Sequence, residues 1–105
     1  MRYIDKADYS TVPGPKNAGN LRVYALSTCA FCERAMNFLK DQGYQYEYIF
    51  MDQIDINEKR AMKAELKAQF GSIPVFPLLV KNDSVHISGF VEEKWKEFLS
   101  EDGEA

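Results

Sequence analysis

A chain of 105 residues with 46% hydrophobic and 28% charged side chains has room for one domain whose core needs no disulfide staples. The net charge of −3, with no basic block, excludes the usual footprint of a nucleic-acid or anionic-membrane binder. No apolar run approaches the roughly 20 residues that span a bilayer, and residues 1–20 lack the apolar stretch of a signal peptide, so the reducing cytosol is the expected compartment.

Residues 1–20 contain Val12-Pro13-Gly14-Pro15 and Asn17-Ala18-Gly19-Asn20, which is turn and extended chemistry. They read as an N-terminal arm outside the core, followed by a domain over 21–105. Leu21-Arg22-Val23-Tyr24-Ala25-Leu26 predicts a first strand. From 30 to 42 the spacing turns helical, with Phe31, Ala35, Phe38 and Leu39 on one side, and Gly43 is placed to end that helix. Residues 44–51 predict a second strand and 55–70 a second helix. That helix carries a possible capping box at Asp55 and Glu58, an apolar stripe at Met62, Leu66 and Phe70, and Gly71 as its stop. Leu78-Leu79-Val80 and Val85-His86-Ile87 predict a hairpin, and 91–100 a last helix with Val91, Trp95, Phe98 and Leu99 inward. The tail after Ser100 is expected to fray. The order β-α-β-α-β-β-α gives an α/β fold: a mixed four-stranded sheet flanked by three helices, its first crossover right-handed.

The two cysteines, Cys29 and Cys32, are separated by two residues. A bond between them would close a very short loop and constrain the unfolded chain little, so a structural disulfide explains the spacing poorly. The pair lies where a strand ends and a helix begins. Unpaired N–H groups and the positive end of the helix dipole gather there and favour a thiolate, the attacking species in disulfide exchange. Residues three apart on a helix have Cβ atoms roughly 5–6 Å apart, so the two sulfurs can bond and separate with little backbone motion. Cys29 would attack and Cys32 would resolve the mixed disulfide. A zinc site needs about four ligands, and His86 is the sole further nitrogen or sulfur candidate. A c-type haem site needs His after Cys32, where Glu33 stands.

These residues resemble the glutaredoxin branch of the thioredoxin superfamily, over about 21–99. Thr28-Cys29-Ala30-Phe31-Cys32 resembles the family's active-site entry, usually Cys-Pro-Tyr-Cys, with Ala30 and Phe31 in place of the middle pair. The resemblance implies a thioredoxin-like fold and a dithiol oxidoreductase that reduces protein or glutathione mixed disulfides. Phe76-Pro77-Leu78-Leu79-Val80 resembles the family's cis-proline segment, which would set Pro77 against Cys29 and expose the Phe76 backbone to an extended substrate. Pro74, in Ser72-Ile73-Pro74, resembles the family's Thr-Val-Pro and competes for that place; the distance to Gly89 favours Pro77. Ser88-Gly89-Phe90 is closer to the NrdH-type redoxins, glutaredoxin-like electron donors to ribonucleotide reductase. The implied substrate surface is Thr28, Phe31, Phe76, Pro77, Ser88, Gly89 and Phe90. His86 reads as a solvent-facing strand residue without a partner.

Glutathione-binding members usually carry lysine three positions before the first cysteine, where Leu26 stands; Gln69, Glu92 and Glu93 are the nearest matches to their other glutathione contacts. No bound cofactor is implied. Glutathione is a co-substrate candidate, and a flavin- or ferredoxin-linked reductase is the alternative electron donor. The expected partners are disulfide-bearing proteins, ribonucleotide reductase among them, acting on a monomer. The competing function is an iron–sulfur or metal-binding module that uses Cys29 with external thiols.

Overall fold

A computed structural model describes residues 2–72 and 74–103. In chain order the elements are α1 (Tyr3–Lys6), β1 (Ser10–Val12), β2 (Leu21–Ala25), α2 (Ala30–Asp41), β3 (Tyr46–Phe50), a 3₁₀ turn (Met51–Gln53), α3 (Ile56–Phe70), β4 (Leu78–Lys81), β5 (Val85–Ser88) and α4 (Glu92–Gly103). The strands form one mixed sheet in the order β1-β3-β2-β4-β5. β2 runs parallel to β3 and antiparallel to β4, and β4 turns back on β5.

Alternation along the strands divides the core in two. Leu21, Val23 and Ala25 of β2 and Leu79 of β4 pack with Ala35, Phe38 and Leu39 of α2 and Trp95 and Leu99 of α4. Tyr24, Leu78 and Val80 point the other way, onto Met62 and Leu66 of α3. β2 and β4 lie inside the sheet, and every residue of β4 is buried. That position explains the near-continuous apolar reading of Leu78-Leu79-Val80.

Helix ends follow the expected chemistry. Asp55 Oδ2 accepts from the N–H groups of Asn57 and Glu58 at the start of α3, and Gly71 closes it in the left-handed conformation at φ 84°. At the end of α2 the Gly43 N–H donates to the Lys40 carbonyl and the Tyr44 N–H to the Leu39 carbonyl. This double closure depends on Gly43 at φ 83°.

The four strands expected after residue 20 are all present, and the arm adds a fifth. β1 pairs antiparallel with β3, Ser10 opposite Tyr48 and Val12 opposite Tyr46. Nor does the arm lie outside the core: Ile4 is fully buried among Tyr24, Met62 and Leu66. Polar anchors hold it there. The Tyr3 and Ile4 N–H groups donate to the Glu65 carboxylate at 2.8 and 2.9 Å. Tyr9 donates its hydroxyl to the Ile4 carbonyl, and the Arg22 guanidinium lies 4.1 Å from the Tyr9 ring centre. A four-residue helix and a three-residue strand are too short to show periodicity, so partners distant in sequence define them. Two smaller differences appear at α4. Val91 precedes the helix and is 60% exposed rather than inward, and the helix backbone runs on to Gly103, past the expected end; residues 104–105 lie outside the described part.

Ile4→Ala is expected to cost about 2–5 kcal/mol of unfolding free energy in urea, the range for a buried aliphatic truncation. A loss under ~0.5 kcal/mol would show that the arm is not part of the core.

Candidate active site

α2 begins at Ala30, which makes Cys29 its N-cap. Side-chain oxygens usually fill this role by accepting from the first free N–H groups. Here the acceptor is sulfur: the Cys32 N–H donates to Cys29 Sγ at 3.1 Å. The Glu33 N–H donates to the Cys29 carbonyl at 3.0 Å, and the Cys29 N–H to the Leu26 carbonyl at 3.3 Å, closing a turn between β2 and α2. The sulfur therefore sits at the positive end of a 12-residue helix with one N–H aimed at it.

The two cysteines differ sharply in exposure. Cys29 is half-buried at the surface, whereas Cys32 is 0% exposed and packs with Ala25, Ala35 and Leu39. Burial, reinforced by the hydrogen bond to Cys29, pushes the Cys32 thiol up to about 12. Cys32 is thus held as a neutral thiol behind its surface partner, the arrangement a resolving group needs.

A cleft of about 460 Å³ opens beside Cys29. Ser27, Thr28, Glu33 and Asn37 supply its polar wall, and Met36 and Phe50 part of its apolar one. Of the seven residues expected to form the substrate surface, Thr28 alone lines this cleft. Phe31 projects into solvent, 56% exposed, with the Arg34 guanidinium 5.5 Å from its ring centre. The Phe76–Pro77 peptide bond is cis and Pro77 is buried, while the competing bond at Pro74 involves a residue outside the described part. Phe76 and Phe90 are half-buried and pack against the same core cluster as Cys29. Ser88 is exposed on β5 opposite Leu78. Gly89, at φ 72°, donates its N–H to the Pro77 carbonyl and accepts from the Trp95 indole, each at 2.8 Å. It therefore ties β5 to the cis-proline segment and to α4, and its left-handed backbone favours glycine. His86 is exposed as expected, but it has a partner: its ring stacks on Phe70 with centres 4.3 Å apart.

Sequence reasoning missed Ser27, Glu33, Asn37, Phe50 and Asp52. A sequence signal existed for Glu33 and Asn37. Glu33, Met36 and Asn37 follow Cys29 at intervals of four, seven and eight, one face of a helix. The parallel register pairs Ala25 with Phe50, and two residues further on Ser27 faces Asp52. The Ser27 N–H donates to Asp52 Oδ1 at 2.9 Å and its hydroxyl to Asp52 Oδ2. These bonds hold the exposed Asp52 carboxyl below the usual carboxylate range. Among the described residues, no group of three or more His, Cys, Asp or Glu is placed to hold a metal ion.

The family model described as Glutaredoxin matches residues 21–87. The chain belongs to the glutaredoxin family. The glutaredoxin of Methanosarcina mazei Go1 superposes with a TM-score of 0.75 at 30% identity, over 90% of this chain and 89% of that one. The Methanosarcina acetivorans methanoredoxin gives 0.72 at 30% identity, over 89% and 95%. Rat glutathione S-transferase omega-1 is 36% identical over 66 residues; these are 63% of this chain but only 26% of that longer relative.

Two of the residues nearest to the family's glutathione contacts, Gln69 and Glu92, have other partners, and Glu93 is exposed. Gln69 accepts from Arg2 and donates to the Asp83 carbonyl, both at 2.7 Å, which binds it to the arm and the β4–β5 turn. Glu92 pairs with Lys96 at 3.2 Å along α4. Leu26 fills the usual lysine position and borders the Cys29 cleft.

Two outcomes follow from the unequal thiols. Iodoacetamide at neutral pH is expected to modify Cys29 alone in the folded, reduced protein, with Cys32 reacting only in denaturant; peptide mass spectrometry reads the sites, and equal labelling would contradict the burial. Because folding favours the neutral Cys32 thiol, its contribution is complete below the unfolded thiol range of about 8.5. It is lost as pH climbs from there towards about 12. The urea midpoint should therefore fall across that window, and fall less in Cys32→Ser.

Proposed function

We propose that the chain is a thiol–disulfide oxidoreductase that reduces protein disulfides, with Cys29 as nucleophile and Cys32 as resolving thiol. The observation that carries this reading is the Cys32 N–H donated to a surface-accessible Cys29 sulfur at a helix start, with the second thiol buried one turn behind. Membership of the glutaredoxin family supports the same chemistry.

In the first step the Cys29 thiolate attacks one sulfur of the substrate disulfide. A Cys29–substrate S–S bond forms, the substrate S–S bond breaks, and the leaving sulfur departs as a thiolate that takes up a proton. Cys32 then gives up its proton and attacks Cys29 Sγ. The Cys29–Cys32 bond forms and the second substrate sulfur leaves, so two electrons have passed from the dithiol to the substrate. Burial is the main cause that holds Cys32 neutral and it persists in the mixed disulfide; the smaller opposition from Cys29 is removed there, which eases the second step.

For the oxidant we propose a disulfide-bearing protein of the ribonucleotide reductase kind, supported by the likeness of Ser88-Gly89-Phe90 to NrdH-type redoxins. For the electron donor we favour a protein reductase over glutathione. Glutathione carries two carboxylates, whereas the cleft beside Cys29 is lined by Glu33 and by no basic side chain among the described residues. For the compartment we propose a reducing one, which two cysteines spaced for redox chemistry rather than a disulfide framework support.

Cys29→Ser is expected to abolish disulfide reduction while keeping the melting temperature, since a serine oxygen can cap α2 in place of sulfur. Cys29→Ala should lose activity and also about 0.5–2 kcal/mol of stability. Cys32→Ser should accumulate a mixed disulfide with substrate, visible by intact mass. Dithiol-dependent turnover by Cys29→Ser would overturn the assignment, and faster reduction of the oxidised protein by glutathione than by thioredoxin-type reductases would reverse the choice of donor.

A further inference from the structure

We propose that Asp52 is a positioning residue for Cys29: its carboxylate clasps Ser27 and so holds the Leu26–Cys29 turn that keeps the Cys29 sulfur on the Cys32 N–H. The proposal rests on Cys29 being the attacking thiol.

The turn needs such a brace. Its own closing bond, from the Cys29 N–H to the Leu26 carbonyl, is 3.3 Å, long against the ~2.9–3.0 Å typical of N–H···O bonds. Thr28 is exposed, and among the described residues it makes no side-chain hydrogen bond. Ser27 is the residue of this turn whose side chain is anchored, and both of its bonds go to one carboxylate. Bonds of this kind, with an ionised acceptor, are roughly twice as strong as neutral ones. The Ser27 bonds hold the Asp52 carboxyl below the usual carboxylate range, so that acceptor is ionised at neutral pH.

The anchor point is itself rigid. Asp52 sits in the 3₁₀ turn Met51–Gln53, whose first residue, Met51, is fully buried in the core cluster beneath α3. It follows directly on β3, whose parallel register with β2 fixes its height opposite Ser27. The clasp thus transmits the position of the sheet to a loop that has few other ties. Both partners are exposed, so water screens the clasp and it adds little to global stability; its effect falls on the loop it closes.

The test reads Cys29 itself, without any disulfide substrate, and so stands apart from the oxidoreductase assay. Reduced full-length protein is treated with iodoacetamide and the Cys29 adduct is followed by mass spectrometry. Asp52→Ala should slow alkylation by roughly twofold to thirtyfold, the rate equivalent of losing a helix cap interaction. Asp52→Asn should restore part of the lost rate, because an amide keeps an oxygen for the Ser27 N–H and offers an N–H to its hydroxyl, in bonds weaker than those to a carboxylate. Ser27→Ala should fall between them. Gly19→Ala, which strains a left-handed residue at the opposite end of β2 from Ser27, controls for general destabilisation and should alkylate at the wild-type rate. A wild-type rate in Asp52→Ala would overturn the proposal, and so would an Asp52→Asn as slow as Asp52→Ala, since the charge and not the clasp would then be what matters. If alkylation behaves as expected and disulfide reduction is absent in the wild-type protein, the clasp stands and the oxidoreductase reading fails.

Discussion

The hydrogen bond from the Cys32 N–H to the Cys29 sulfur is the contact on which the rest of the site depends. It joins two requirements in one atom pair. The helix needs an acceptor for an N–H that no preceding turn can satisfy, and the reacting sulfur needs a donor that steadies it. Capping α2 with a thiol meets both, and it sets the second, buried cysteine three residues on, within the same turn. The elements around it can be read as support. β2 delivers the chain to the turn, the core under α2 holds Cys32 in the dark, and Asp52 grips the loop between them.

The sheet explains why that support is stiff. β2 is flanked by β3 and β4 and covered on both faces, so the strand leading into the turn has no free edge. The arm continues the same logic on the outside. β1 shields the edge of β3, while Ile4 and Tyr9 close the side of the sheet on which α3 packs. The Arg2 guanidinium joins Asp5, Gln69 and Asp83, and so draws together the arm, α3 and the β4–β5 turn. Arg2 and Asp83 are exposed enough that this network registers the arm more than it stabilises the fold; the stabilising part is the apolar seat of Ile4.

The same network bears on chemistry. Gln69 is the nearest candidate before the cis-proline segment for one of the family's glutathione contacts, and its amide is held by Arg2 of the arm and by the Asp83 carbonyl of the β4–β5 turn. What opens at the reactive sulfur instead is a cleft with an acidic and amide wall, Glu33 and Asn37, facing Phe50 and Met36. A site of this character tells partners apart by charge as much as by shape.

Much of this was legible in the residues alone. Period-3.6 patterns located α2 to α4, each of which buries one face, while β2 and β4 showed as short apolar runs because both of their faces are covered, and β5 as the turn-linked partner of β4. The spacing of Cys29 and Cys32 already pointed to a strand-to-helix junction, where the structure places them. The arm was not legible: a strand of three residues and a helix of four have no period, and they exist because Glu65, Tyr24 and β3 are there to receive them. The clasp between Ser27 and Asp52 was not legible either. It spans 25 residues and depends on the register of two parallel strands, which local patterning leaves undetermined. The sequence by itself determined which atoms can react and on which element they stand. The tertiary structure decided which thiol meets solvent, which carboxylate steadies it and which residues wall the cleft, because burial and strand register are set by contacts between segments far apart in the chain.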